Sequence, residues 1–224
     1  RMTQNVHWSG RMSVDGEEFE VHEFYVTRVR AWGVRPIGER DPQAVVPLQL
    51  PQFYWLWAPI NFPDASLYFH VNEDAQGSPW NTRSVLAMDG ADNDGLTHMN
   101  RPQMDVTWRD QSRRAASAEL VTTDASGREH KVSYEPVGTF MMKGIGYGHP
   151  DWGHGVFKGG YAIEREDFTP DILPLRQLDN FQIQAIVKAT LTVPDGQGSE
   201  GIGILEQLCI GPHGPSGWKD VLDA

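Results

Sequence analysis

The chain has 224 residues, 39% of them hydrophobic and 10% aromatic, which excludes a disordered or fibrous polymer and leaves room for one large β domain or two small ones. Nineteen Lys and Arg against 30 Asp and Glu give a formal charge of -11 with no basic patch to interrupt it, so nucleic acid and anionic membrane surfaces are unfavourable partners. A single cysteine, Cys209, excludes an intrachain disulfide, a cysteine zinc cluster and an iron-sulfur site, and its strand-like setting suits a buried inert thiol.

In chain order, most segments alternate apolar and polar residues at period two between Gly, Asp, Asn and Pro clusters, the pattern of antiparallel β structure. NVHWSGRMSV and EEFEVHEF flank Asp15-Gly16, a pair suited to a tight hairpin because both residues tolerate positive φ. TRVRAWGVR, PQFYWLWAPI, SLYFHVNE and NTRSVLAMD follow as strand candidates, and then GADNDGLTHMNRP reads as a loop. MDVTWRD, SAELVTTD and REHKVSYEPVG continue the series, with a hairpin turn over Asp124 to Gly127. Met141 to Ile163 holds seven glycines among aromatic residues, which suits barrel corners or a ligand-facing rim better than a linker. NFQIQAIVKATLTV places Ile183, Ala185, Val187, Ala189 and Leu191 on one face, and GIGILEQLCI follows it. The closing GPHGPSGWKDVLDA has room for no more than a short helical turn. About ten strands and little helix predict an all-β fold, an antiparallel barrel or strongly curved sheet, in preference to a sandwich.

Candidate chemistry falls in a few places. Around Tyr54, Trp55 and Trp57 both strand faces are bulky, as in a core strand or the wall of a site for an extended hydrophobic ligand. Tyr68, His70 and Asn72 share a face beside Glu73 and Asp74, which makes His70 and Asp74 candidates for acid-base work. Arg28, Arg30 and Trp32 share strand parity, with Arg35 just beyond, a grouping suited to ion pairing, to stacking or to an anionic substrate group. Glu206 alternates with Ile202, Ile204, Leu208 and Ile210; if that face is inward, its charge must be paired, with an arginine of the 28–35 segment as the expected partner, or be given up. Trp152 and His154 sit in the glycine-rich segment, where His149, His154 and Asp151 form too loose a set for a metal centre. No nucleophile elbow, Walker loop, zinc-protease helix or dinucleotide fingerprint is present in the sequence, and neither a cofactor nor a metal is expected.

The combination HWSGRMSVDGE, RAWGVRP, PQFYWLWAPINF, FHVNED and GIGILE resembles the carotenoid hydratase and AttH-like superfamily of bacterial proteins. The resemblance extends from near His7 to near Trp218 and implies lipocalin-like β domains, with residues 1–224 as the later domain of a two-domain protein whose upstream β domain precedes Arg1. A family segment close to R-D-x-S-W-G-x-R aligns with Arg28 to Arg35, but Val29 and Ala31 replace its acidic and Ser positions. The implied activity is a cofactor-independent hydratase, isomerase or cyclase on a terpenoid, polyketide or steroid-like substrate. Glu206, Asp74 and His70 are then the catalytic candidates, and Trp32, Arg35, Tyr54, Trp55, Trp57, Tyr68, Trp152 and His154 the substrate-binding ones. The alternative is a noncatalytic carrier of a hydrophobic small molecule, which the Val29 departure favours. Expected partners are that molecule, the upstream domain and a homo-oligomer; with no apolar run approaching the ~18 residues of a membrane span, a cytoplasmic location is expected.

Overall fold

The structure, a computed structural model, describes residues 2–32, 52–90, 95–143, 149, 151–152, 157–169, 174, 176–193, 196 and 198–223. Arg35 and His154 lie outside the described residues.

Two long strands, β1 (Met2–Val14) and β2 (Glu17–Arg30), pair with each other as a separate hairpin. Eight more follow: β3 (Phe53–Asn61), β4 (Ala65–Glu73), β5 (Pro79–Met88), β6 (Leu96–Trp108), β7 (Ala115–Thr123), β8 (Glu129–Met141), β9 (Gln182–Thr192) and β10 (Gly198–Ile210). These eight run antiparallel in sequence order, and β10 pairs with β3 to close a barrel. Short 3-10 turns at Leu178–Asn180 and Gly214–Ser216 are the helical elements among the described residues, in keeping with the all-β expectation.

Two boundaries differ from the sequence reading. TRVRAWGVR is not a strand of its own: β2 continues through it to Arg30, past a bulge at which Glu23 takes φ 49° and its N–H donates to Ser9 Oγ at 2.9 Å. The Thr97–Pro102 stretch, read as loop, is the first half of β6, with Thr97 opposite Leu86 and Met99 opposite Ser84. Neither deviation shows in a two-residue alternation, because a bulge shifts the period and Asn-Arg-Pro imitates a turn.

Alternation sorts inside from outside. Leu56, Ala58 and Ile60 of β3, Leu67 and Phe69 of β4, Leu120 of β7, Val132 of β8, Val187 of β9 and Leu205 of β10 fill the lumen, each almost fully buried. The predicted Ile183 to Leu191 face of β9 points inward with them. Trp55, Trp57, Tyr68, His70 and Glu206 have the opposite parity and lie on the outer wall. An eight-stranded closed barrel with an apolar lining has the dimensions to pack its lumen with side chains or to enclose one small hydrophobic ligand.

Closure depends on two glycines. A Cβ on Gly203 would stand 2.1 Å from the Pro59 carbonyl oxygen and 2.8 Å from Ile60 Cα; one on Gly201 would stand 2.5 Å from the Asn61 oxygen and 2.6 Å from the Phe62 ring. Backbone cannot retreat there without breaking the β10–β3 ladder. Replacing Gly203 with Ala should therefore cost about 1–3 kcal/mol, in the range of other overpacking changes, read as a lower urea midpoint.

Turn chemistry repeats around the barrel. In the β4–β5 turn, Asp74 Oδ1 accepts from the Gln76 and Ser78 amides, both at 2.9 Å. In the β7–β8 turn, Asp124 accepts from the Ser126 and Arg128 amides, from the Ser126 hydroxyl at 2.6 Å, from Arg128 Nε and from His130 Nε2. These bonds, the Ser126 hydroxyl first, hold the Asp124 carboxyl well below the usual carboxylate range. A folded-state value below the unfolded one gives stability that is present above the unfolded value and lost as pH falls through the folded one. Thermal melts of wild type and Asp124→Asn should thus differ most above about pH 5 and converge under acid, starting below about pH 4.

Candidate functional site

Three constellations emerge: a groove under the hairpin, an aromatic and acidic row on the outer wall, and a hydrogen-bonded seal at one barrel mouth.

The groove forms because the hairpin lies across the barrel with β1 near β3 and β2 near β10. Asn5 anchors it: its backbone N–H donates to Tyr68 Oη at 2.9 Å, and its Nδ2 donates to the Ile60 carbonyl at 3.1 Å. Thr27 Oγ1 donates to Asn5 Oδ1 at 2.9 Å and fixes the side chain. Beside this anchor a groove of about 600 Å³ opens between Glu23–Thr27 of β2 and the outer wall at Ile186, Ile202, Gly203 and Ile204, with Asn61 also lining it. Its volume falls within the range of small-molecule sites, and its walls are apolar with polar groups from Glu23, Thr27 and Asn61.

The outer-wall row gathers several residues singled out in the sequence. Glu206 stands opposite Trp57, and Trp57 opposite His70, as cross-strand neighbours. Trp55 stacks on the His70 ring at 5.6 Å, and His70 Nε2 contacts Asn81 Oδ1 at 3.3 Å. Glu206 is only 8% exposed although its face is outward, and its Oε1 accepts from Gln182 Nε2 at 3.1 Å. Of the arginines expected to pair with it, Arg28 reaches Gln4 Oε1 across the hairpin, and Arg35 lies outside the described residues. Trp32 lies beyond the end of β2, 70% exposed. Trp152 belongs to a different concavity with His149, Ile163 and Glu164, where its indole N–H donates to Glu164 and Lys158 lies 5.1 Å from its ring centre. Tyr54 points the other way from Trp55 and Trp57, toward the lumen, and Asp74 serves the β4–β5 turn.

Tyr54 is part of the mouth seal, a cluster the sequence reading did not anticipate. After β10 the chain turns back and inserts Trp218 into the core, where its ring packs on Trp108 at 4.8 Å. His213 stacks on Tyr54 at 4.0 Å; its Nε2 lies 2.9 Å from Glu73 Oε2, and its Nδ1 2.8 Å from Ser216 Oγ. Trp108 Nε1 donates to the same Ser216 oxygen at 3.0 Å, so the serine hydroxyl donates to Nδ1 and the imidazole donates to Glu73. Serine, histidine and glutamate thus form a relay. Ser216 lies only three residues from His213 in one turn and also accepts from an indole, which makes the relay a lock that satisfies a buried histidine. Burial pushes the Tyr54 phenol well above its ordinary value.

Arg113 completes the seal. Its Nε donates to the Asp223 carbonyl at 2.6 Å, Nη1 to the Gly211 carbonyl at 2.8 Å and the Cys209 carbonyl at 3.3 Å, and Nη2 to the Asp220 carbonyl and the Asp223 carboxylate. The guanidinium also lies 4.3 Å from the Trp218 ring centre. Burial draws the Arg113 guanidinium below its ordinary value, against the pull of Asp223. Cys209, beneath it, is buried as expected and its thiol is pushed up to about 12. No sequence signal marks this arginine, because its partners lie about a hundred residues away and are mostly backbone carbonyls.

Among the described residues no cluster of three or more His, Cys, Asp or Glu side chains is placed to hold a metal ion, and no helix is long and apolar enough to cross a membrane. Two inward hydroxyls, Ser84 Oγ and Tyr134 Oη, are buried without a hydrogen-bond partner among the described residues. They are the polar atoms that a water or a small occupant of the lumen would meet.

A family model matches residues 1–219, nearly the whole chain. The chain belongs to the family of unknown function DUF8625. No curated protein and no solved structure matches it significantly. For this DUF8625 chain the site must therefore be read from its own geometry.

Removing the seal's centre tests its structural role. Arg113→Met should destabilise the fold by about 3–5 kcal/mol, because several buried carbonyls and the Asp223 carboxylate lose their donor. The change should be accompanied by a red shift of tryptophan fluorescence as Trp218 meets water.

Proposed function

We propose that this protein binds and carries a hydrophobic small molecule of terpenoid, polyketide or steroid-like shape in the groove between β2 and the β9–β10 wall. The observation that carries the reading is the groove itself, about 600 Å³ with isoleucine walls and a few polar groups, held open by the Asn5 anchor. An apolar ligand there replaces water on Ile186, Ile202 and Ile204, while Asn61 and Thr27 can orient a hydroxyl or carbonyl at one end. Membership in the AttH-like superfamily, with its lipocalin-like domains and an upstream partner domain, fits this reading and is part of the proposal.

A catalytic reading rests on a different observation. Glu206 is a nearly buried carboxyl that accepts a hydrogen bond from a neutral amide, Gln182, and it stands opposite Trp57. A hydratase, isomerase or cyclase needs an acid that protonates an alkene and an aromatic face that stabilises the resulting cation. Carriage requires neither, and Val29 and Ala31 stand where the resembled family carries acidic and Ser residues.

Native mass spectrometry with a panel of terpenoid alcohols separates the two readings. Binding without change in ligand mass or structure is expected, and Ile204→Glu should weaken it at least about tenfold by placing a charge in the apolar wall. Binding unaffected by Ile204→Glu would overturn the groove assignment. Gain of one water by the ligand, lost in Glu206→Gln, would establish the catalytic reading instead.

A further inference from the structure

The hairpin sits on the barrel the wrong way round for an element that only covers its own domain. Asn5 and Thr27, on its polar face, meet the barrel. The opposite face pairs Trp8 with Phe24, Met12 with Phe19 and Val14 with Glu17 across the two strands. On that face Val21, opposite Gly10, is buried at 4%, and around it Trp8 is 57% exposed, Phe24 56%, Val14 52%, Met12 42% and Phe19 38%. A sheet with one wet side ordinarily turns its polar side to water. A two-stranded ribbon is also marginal by itself and needs a further layer over its apolar side. A contiguous exposed apolar surface of this kind marks an association site.

We propose that this face is a homodimer interface, in which two copies pack their hairpins face to face and antiparallel about a two-fold axis. Charge placement argues for the second copy and for the orientation. Glu17 lies at the turn end of the face, and Arg28 and Arg30 lie on the same face at its other end. Antiparallel overlay sets Glu17 of each copy against Arg28 and Arg30 of its partner, twice by symmetry. Parallel overlay would oppose like charges at both ends. The ribbon has 13 residues in β1, about 43 Å at strand rise, so each copy offers a long, narrow patch suited to a moderate, reversible dimer. The proposal does not rest on ligand binding; Phe24 also lines the groove, so the variants are read by oligomeric state alone.

Sedimentation velocity over a concentration series tests it, with circular dichroism confirming that each variant folds. Wild type should shift from monomer to dimer below about 100 µM. Trp8→Glu combined with Phe24→Glu should leave only monomer. Glu17→Arg alone should weaken the dimer about tenfold, and adding Arg28→Glu and Arg30→Glu to it should restore the dimer by exchanging the charges. A wild type that stays monomeric throughout, or a dimer indifferent to Trp8 and Phe24, would overturn the proposal. So would a charge-exchanged protein that dimerises no better than Glu17→Arg, or a monomer that instead binds phosphatidylcholine vesicles through this face.

Discussion

Everything placed on the outer wall depends on the approach of β10 to β3. These strands are separated by more than a hundred residues, and their pairing turns an eight-strand meander into a barrel without free edges. Gly201 and Gly203 make that approach possible, because a side chain at either would collide with carbonyl oxygens of β3 or its following residue. Closure then fixes the neighbours. Glu206 falls beside Trp57, and Ile202 and Ile204 become the wall that the hairpin overhangs. A slip of one residue would turn Glu206 into an apolar lumen and Leu205 out toward solvent, so register at this seam is set by burial on one side and glycine on the other.

Much of this was legible as alternation. The strands other than the separate one expected at TRVRAWGVR, the Asp15-Gly16 turn and the shared face of Ile183 to Leu191 follow from period-two patterning and turn residues, and the structure has them. Alternation also put Glu206 on one face with isoleucines. It could not say that this face is the outer one, since a face both apolar and partly buried looks alike from either side of a wall. The same holds for Trp55 and Trp57: they share parity with Glu206 and stand outside, while Tyr54 alone of that trio turns into the lumen.

The mouth seal shows a different limit. Arg113 sits in a short turn between β6 and β7, with nothing in Ser-Arg-Arg to distinguish it from a solvated loop arginine. Its donors reach carbonyls of Cys209, Gly211, Asp220 and Asp223, and carbonyl identity leaves no trace in sequence. Asp74 and Asp124 are the converse case. Asp-Ala-x-Gly occurs at both turns, and the hydrogen bonds each carboxylate accepts show that this spacing encodes an Asx-type turn; in sequence Asp124 to Gly127 reads simply as a hairpin turn, while Asp74 beside His70 reads as an acid-base candidate.

Seal and groove together bear on where an apolar ligand can enter. At the mouth, Trp218, Trp108 and the stacked Tyr54–His213 pair occupy the opening, and Arg113 ties the covering segment to the end of β10. A ligand entering the lumen there would have to displace an indole and break a charged hydrogen-bond array, a cost that small apolar molecules recover only by burying comparable area. The groove asks for no such opening, because its walls already stand apart on either side of the Asn5 anchor. On the carrier reading proposed above, the barrel therefore serves as a rigid wall and the hairpin as the second jaw, and the proposed dimer uses the apolar side of that jaw.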